Sequence, residues 1–127
     1  MIEIIPIAKI AEDQRGATHY FDTDRSGQFI IGYRKAGSAS ARHYHKGISK
    51  GKNPEQVILM SGEVTVNWFD IDSDAKGSSK VTAPAMIIVY PMTWHEVMAD
   101  TDFVMLELNS LADGQNDVFR IDEGNQK

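Results

Sequence analysis

Apolar positions along this chain recur in short runs of period two, separated by turn residues, and helical spacing is scarce. Residues 2–7 form a first run. Residues 17–21 and 28–35 flank the turn at 22–27, which is rich in Asp, Ser and Gly. Residues 41–46 make a short strand, and 55–61 are nearly all apolar. After Gly62 the run 63–71 alternates, with Val64, Val66 and Trp68 on one face and Thr65 and Asn67 on the other. A loop is expected at 72–79 and a strand at 80–90. That strand ends at Pro91, because proline donates nothing to a central ladder. Strands at 94–98 and 103–109, joined by the turn at 100–102, complete the set. Helical spacing is confined to residues 7–14 and the last third of the tail. So many short, evenly spaced strands predict an all-β sandwich or closed barrel.

Length sets the scale of that fold. The chain has 127 residues, so one domain over 1–127 is expected. A domain of that size buries roughly two-thirds of its unfolded surface and needs no staples. There is no cysteine, which excludes disulfides and thiolate metal sites and suits a reducing cytoplasm. Neither a secretory leader nor an apolar run of about 20 residues is visible, so no membrane span is expected. The net charge is −5, with Lys and Arg scattered apart from Lys46, Lys50 and Lys52. Nucleic acid is therefore an unexpected partner, whereas one basic loop leaves an anionic small molecule open. Residues 122–127 are polar and expected to fray.

The chemistry concentrates in histidine. Of His19, His43, His45 and His95, two lie two residues apart on an expected strand, so His43 and His45 share a face opposite Arg42 and Tyr44. Two imidazoles on one face supply half the coordination sphere of a divalent metal. Glu55 opens an apolar strand, sharing a face with Val57 and Leu59, where its carboxylate is costly unless paired. His95 lies on a late strand, and convergence of the four makes the mouth of a barrel the expected site. His19 lacks a partner nearby in sequence and reads as a surface or core residue. Tyr33, Trp68, Met86 and Tyr90 are candidates to line a pocket, with core packing as the plainer reading. For the three lysines a solvated loop is the plainer reading and contact with a phosphate the sharper one.

These residues resemble the first motif of the cupin family. Gly37, five residues, then His43-Tyr44-His45 match its opening; Glu55, six residues, then Gly62 match its close. Nine residues separate His45 from Glu55 where the family has three or four, so 47–54 reads as an inserted rim loop. In the second motif Pro91 is kept, while Ala85 and Thr93 stand where glycines are usual. The run Pro91-Met92-Thr93-Trp94-His95-Glu96, with Glu55-Gln56-Val57-Ile58-Leu59, resembles one branch: the dTDP-sugar 3,4-ketoisomerases and related capsular sugar enzymes. The resemblance covers roughly 27–109 and implies a cupin (jelly-roll) barrel, commonly a homodimer.

It implies two chemistries and leaves both open. In metal cupins, residues matching His43, His45, Glu55 and His95 hold one Fe, Mn, Ni or Zn ion, with open positions for a small-molecule substrate. In the ketoisomerases the histidine pair works without metal. One imidazole removes the proton beside a keto group and another returns it, His45 as base and His43 as partner acid. The metal enzyme is the leading expectation, the isomerase the alternative, and a non-catalytic ligand-binding cupin the third.

Overall fold

The computed structural model describes residues 1–121. Among the described residues there are eleven strands: β1 (Ile2–Pro6), β2 (Lys9–Asp13), β3 (Gly16–His19), β4 (Ile30–Arg34), β5 (Ala39–His43), β6 (Glu55–Ser61), β7 (Glu63–Asp70), β8 (Lys76–Thr82), β9 (Ala85–Val89), β10 (Thr93–Ala99) and β11 (Phe103–Glu107). One helix, α1 (Leu111–Asn116), follows them. A five-stranded antiparallel sheet in the order β1-β9-β6-β11-β4 faces a four-stranded sheet in the order β5-β10-β7-β8, and β2-β3 form a separate hairpin. The inner faces meet over Leu59, Val64, Val66, Ile87, Val89 and Phe103, all buried. A second cluster of Ile7, Ile58, Met86 and Leu108 forms on the other face of the larger sheet.

Three local expectations differ from the structure. The expected loop at 72–79 already contains the start of β8, an edge strand in which Val81 alone is buried. Polar residues suit such an edge, so composition hides it. The expected strand at 80–90 is two strands, divided at Ala83-Pro84, where the Ala83 N–H turns to the carbonyl of Gly62 at 3.0 Å. Within 7–14, Ile7 is buried in the second cluster and Lys9–Asp13 form β2 of an exposed hairpin rather than a helix. The short helix α1 lies ahead of the last third of the tail, where helical spacing is expected, and is started by a capping box between Ser110 and Asp113. The expected fraying at 122–127 lies outside the described residues.

Two backbone features place the site. Gly62 joins β6 to β7 at φ +93°, and a Cβ there would lie 2.2 Å from the carbonyl oxygen of Asp102. Only glycine closes that turn without moving a neighbouring strand. On β5 the pairing with β10 slips between His95 and Glu96, leaving Arg42 (φ 62°) as the extra residue, and both it and the neighbouring Ala41 (φ 68°) take left-handed conformations. Such a bulge re-aims the strand, and it stands directly before His43.

Candidate functional site

His43 ends β5 and pairs in register with His95 of β10. His45 follows two residues later, just past the strand. The three rings form a triangle with centroid separations of 4.8, 5.0 and 5.2 Å. One ligating nitrogen from each lies within 4.8 Å of the others. Tyr44 points the other way and packs on Phe119 at 5.7 Å. Glu55, at the head of β6 on the opposing sheet, brings its carboxylate to this triangle. The four sequence candidates His43, His45, Glu55 and His95 therefore converge.

Each partner of the site fixes a tautomer or a charge. His45 is fully buried and donates Nδ1–H to the Asp117 carbonyl at 2.7 Å. His95 donates Nδ1–H to the Thr93 carbonyl at 3.0 Å. Both rings consequently turn Nε2 toward the same Glu55 oxygen, Oε1, at 3.1 and 3.4 Å. A lone pair facing a carboxylate oxygen is repulsive, so a proton or another cation must lie between them. The other oxygen, Oε2, accepts from the ammonium of Lys52 at 2.7 Å. Lys52 is 3% exposed and Glu55 4%. Burial alone pushes the Glu55 carboxyl up, but the hydrogen bonds from His45 and His95 and the charge of Lys52 override it and hold the group well below the usual carboxylate range. His43 behaves in the opposite sense. Burial first, then the neighbouring His95 and His45, push it down to about 3, so the ring is neutral. Its Nδ1 is buried and has no hydrogen-bond partner.

His43, His95 and Glu55 open onto a cavity of about 150 Å³ between the two sheets. Its walls are chiefly carbon, from Val57, Leu59, Val66, Ile87 and Met105, with Arg34 of β4 and Glu107 of β11 as further charges. Burial and the nearby Glu55 push the Glu107 carboxyl up. His45 does not line the cavity and stands behind the other two rings.

The four expected pocket residues lie elsewhere. Tyr33 is 72% exposed on the outer face of β4. Trp68 lies across Gly77 on β8, where a Cβ would come within 2.7 Å of its Nε1. Met86 belongs to the cluster on the far face of the larger sheet, because neighbours Ile87 and Val89 take the inward positions. Tyr90 lies beyond the end of β9 and donates its hydroxyl to Glu3 at 2.9 Å. An aromatic signal alone does not tell the inner from the outer face.

Sequence reasoning missed Lys52 and Asp117. Lys46 and Lys50 are exposed as a solvated loop requires, but Lys52 turns inward. The clue available was Glu55 itself, a carboxylate needing a partner, with a lysine three residues earlier. Asp117 is fully buried, and its carboxylate accepts from the backbone N–H groups of Lys46 at 2.8 Å and Ser49 at 3.0 Å. Arg25 holds the same loop from the other side through the carbonyls of Gly51, at 2.8 Å, and Pro54.

A divalent metal can be tested against these residues. The donors are of the right type, three imidazoles and a carboxylate. The charge is not, because Lys52 already neutralises the single carboxylate among them. The Lys52–Glu55 ion pair therefore opposes a divalent ion at these otherwise suitable donors, and no step below passes through one.

Solved structures share this architecture. QdtA, a 3,4-ketoisomerase from Thermoanaerobacterium thermosaccharolyticum, solved as a double mutant in complex with TDP, superposes with a TM-score of 0.71 at 21% identity over 94% of this chain and 86% of that one. A variant of QdtA with one histidine replaced by asparagine was solved with TDP-4-keto-6-deoxyglucose. The chain has the cupin fold. WlaRB, a TDP-quinovose 3,4-ketoisomerase from Campylobacter jejuni, gives a TM-score of 0.68 at 18% identity, covering 99% and 98%. The dTDP-4-dehydrorhamnose 3,5-epimerase of Sulfolobus tokodaii gives 0.66 at 15% identity, covering 84% of this chain and 68% of the epimerase. No protein-family model matches this chain, and no curated protein does. None of the described helices is long and apolar enough to cross a membrane.

Proposed function

We propose that this cupin isomerises a keto sugar carried on a nucleoside diphosphate by moving a proton between adjacent carbons. The observation that carries the reading is His43: a neutral imidazole at a carbon-lined cavity, with a buried nitrogen that has no partner. The substrate's carbonyl acidifies the neighbouring C–H. His43 takes that proton, an enediol forms, and a proton returns at the former carbonyl carbon. The cavity excludes water from the enediol. His95 lines the cavity beside His43 and is the second group in reach of substrate. His45 supports the triangle from behind, so the base role expected at His45 passes to His43, and the partner role expected at His43 passes to His95. Arg34 is the cation placed to meet an anionic substrate. The likeness to sugar-nucleotide ketoisomerases supports this choice of substrate class.

The test is direct. Chelator-treated protein incubated with TDP-4-keto-6-deoxyglucose should yield a 3-keto product by NMR, and His43→Asn should lower the rate at least 100-fold, within the range of general acid–base catalysis. An unchanged rate in His43→Asn would remove that residue from the mechanism. A metal-loaded site is the competing reading: the convergence of three imidazole nitrogens favours it, and the ammonium on Glu55 opposes it. Turnover abolished by chelators and restored by one equivalent of metal would establish it instead. The homodimer expected from the resemblance is supported by β4, an edge strand carrying exposed Ile31 and Tyr33, and light scattering tests it.

A further inference from the structure

We infer that Lys52 is a built-in cation that takes the place of a metal ion and keeps the histidine triangle from loading one. The inference goes beyond the isomerase reading and does not depend on the substrate named there. Three imidazoles and a carboxylate are the donor set a transition metal seeks, and here they converge with one nitrogen from each histidine within 4.8 Å of the others. What the set lacks is net negative charge. The Lys52 ammonium is 2.7 Å from Glu55 Oε2, inside the protein, so the only carboxylate of the triangle is neutralised without a metal.

The placement is constructed. Residues 47–54 are the segment read as an insertion in the first motif, and the backbone from Lys46 onward is fastened at several points. Asp117 accepts from the N–H groups of Lys46 and Ser49. The Lys52 N–H donates to the Ser49 carbonyl at 3.0 Å, and Lys52 forms a β-bridge with Glu55. Arg25 donates to the carbonyls of Gly51 and Pro54 on either side of Lys52. Arg25, Asp117 and this bridge hold the lysine stem so that its head meets Glu55 rather than water. Lys46 and Lys50, on the same loop, remain exposed. The loop therefore turns one of three lysines inward and leaves two outside.

The consequence is a gain of function on removal. Lys52→Met and Lys52→Gln leave the Glu55 carboxylate without its cation, and a divalent ion supplies the missing charge. The experiment titrates Co²⁺ and Zn²⁺ into metal-free wild-type protein and both variants, all without a polyhistidine tag. Visible absorption of bound Co²⁺ and metal content after gel filtration are the readouts. The expected result is about one equivalent bound by each variant, at least 100-fold more tightly than by wild type, with the gain lost in Lys52→Met/Glu55→Gln. Folded variants, by circular dichroism, that take up no more metal than wild type overturn the inference. So does wild-type protein that retains an equivalent of Zn²⁺ at micromolar concentration, a result that stands even if neither variant folds. Failure here leaves the isomerase reading intact, because that reading is judged by turnover of a keto sugar nucleotide.

Discussion

Asp117→Ala is the change that tests how the rim loop is held. The Asp117 carboxylate is fully buried and accepts two backbone hydrogen bonds, from Lys46 at 2.8 Å and Ser49 at 3.0 Å. A hydrogen bond to a charged acceptor contributes about 1.5–3 kcal/mol. Lys46 is exposed, so its freed N–H regains water, and the low end of that range applies to it. The two together give a loss of about 3 kcal/mol. For a chain of 127 residues that corresponds to a fall in Tm on the order of 10 °C. Asp117→Asn keeps one acceptor oxygen and should lose about half as much. The Asp117 backbone carbonyl, which orients His45, is untouched by either substitution. Urea denaturation of both variants measures the losses, and limited trypsin digestion should cut Asp117→Ala faster after Lys46 and Lys50. A loss below about 1 kcal/mol in Asp117→Ala, or equal losses in the two variants, would refute this account of the loop.

Two further predictions concern the site and its frame. His43 has a pKa near 6.5 in the unfolded chain and about 3 in the fold, so between those values the unfolded state binds the extra proton. Stability from this group is therefore level above pH 6.5 and falls on acidification, by about 2 kcal/mol between pH 7 and pH 5; His43→Asn should flatten that part of the urea-denaturation profile. Gly62→Ala should cost at least about 2 kcal/mol, because it adds a Cβ at φ +93° against the carbonyl of Asp102, and differential scanning calorimetry reads the loss.

Much of this fold is legible in the alternation of residues. Val64 and Val66 predict an inward face of β7, and the structure buries both. Glu55, Val57 and Leu59 share a face by parity and together line the cavity. The histidine site is legible for the same reason: two imidazoles at i and i+2 point one way, and Gly37, Gly62 and the late His95 set them in a recognisable frame. The residues that hold the site are harder to read. Lys52 looks like its neighbours Lys46 and Lys50, and only the path of the loop turns it inward. Asp117 meets that loop across more than sixty residues of sequence, at Lys46 and Ser49, and nothing local announces the contact. Trp68 and Tyr33 mislead for the converse reason. A large side chain signals burial or binding, but the pleat and the neighbouring Gly77 decide where it lies.

The central claim is that His43 moves a proton on a keto sugar nucleotide without help from a metal. The most direct test follows the C3 hydrogen of TDP-4-keto-6-deoxyglucose by NMR in D₂O, with chelator-treated protein. The account predicts deuterium at C3 with wild-type protein and at least 100-fold slower exchange with His43→Asn, which circular dichroism shows to be folded. Exchange that proceeds equally well with His43→Asn, or that requires added metal in the wild-type protein, would contradict it.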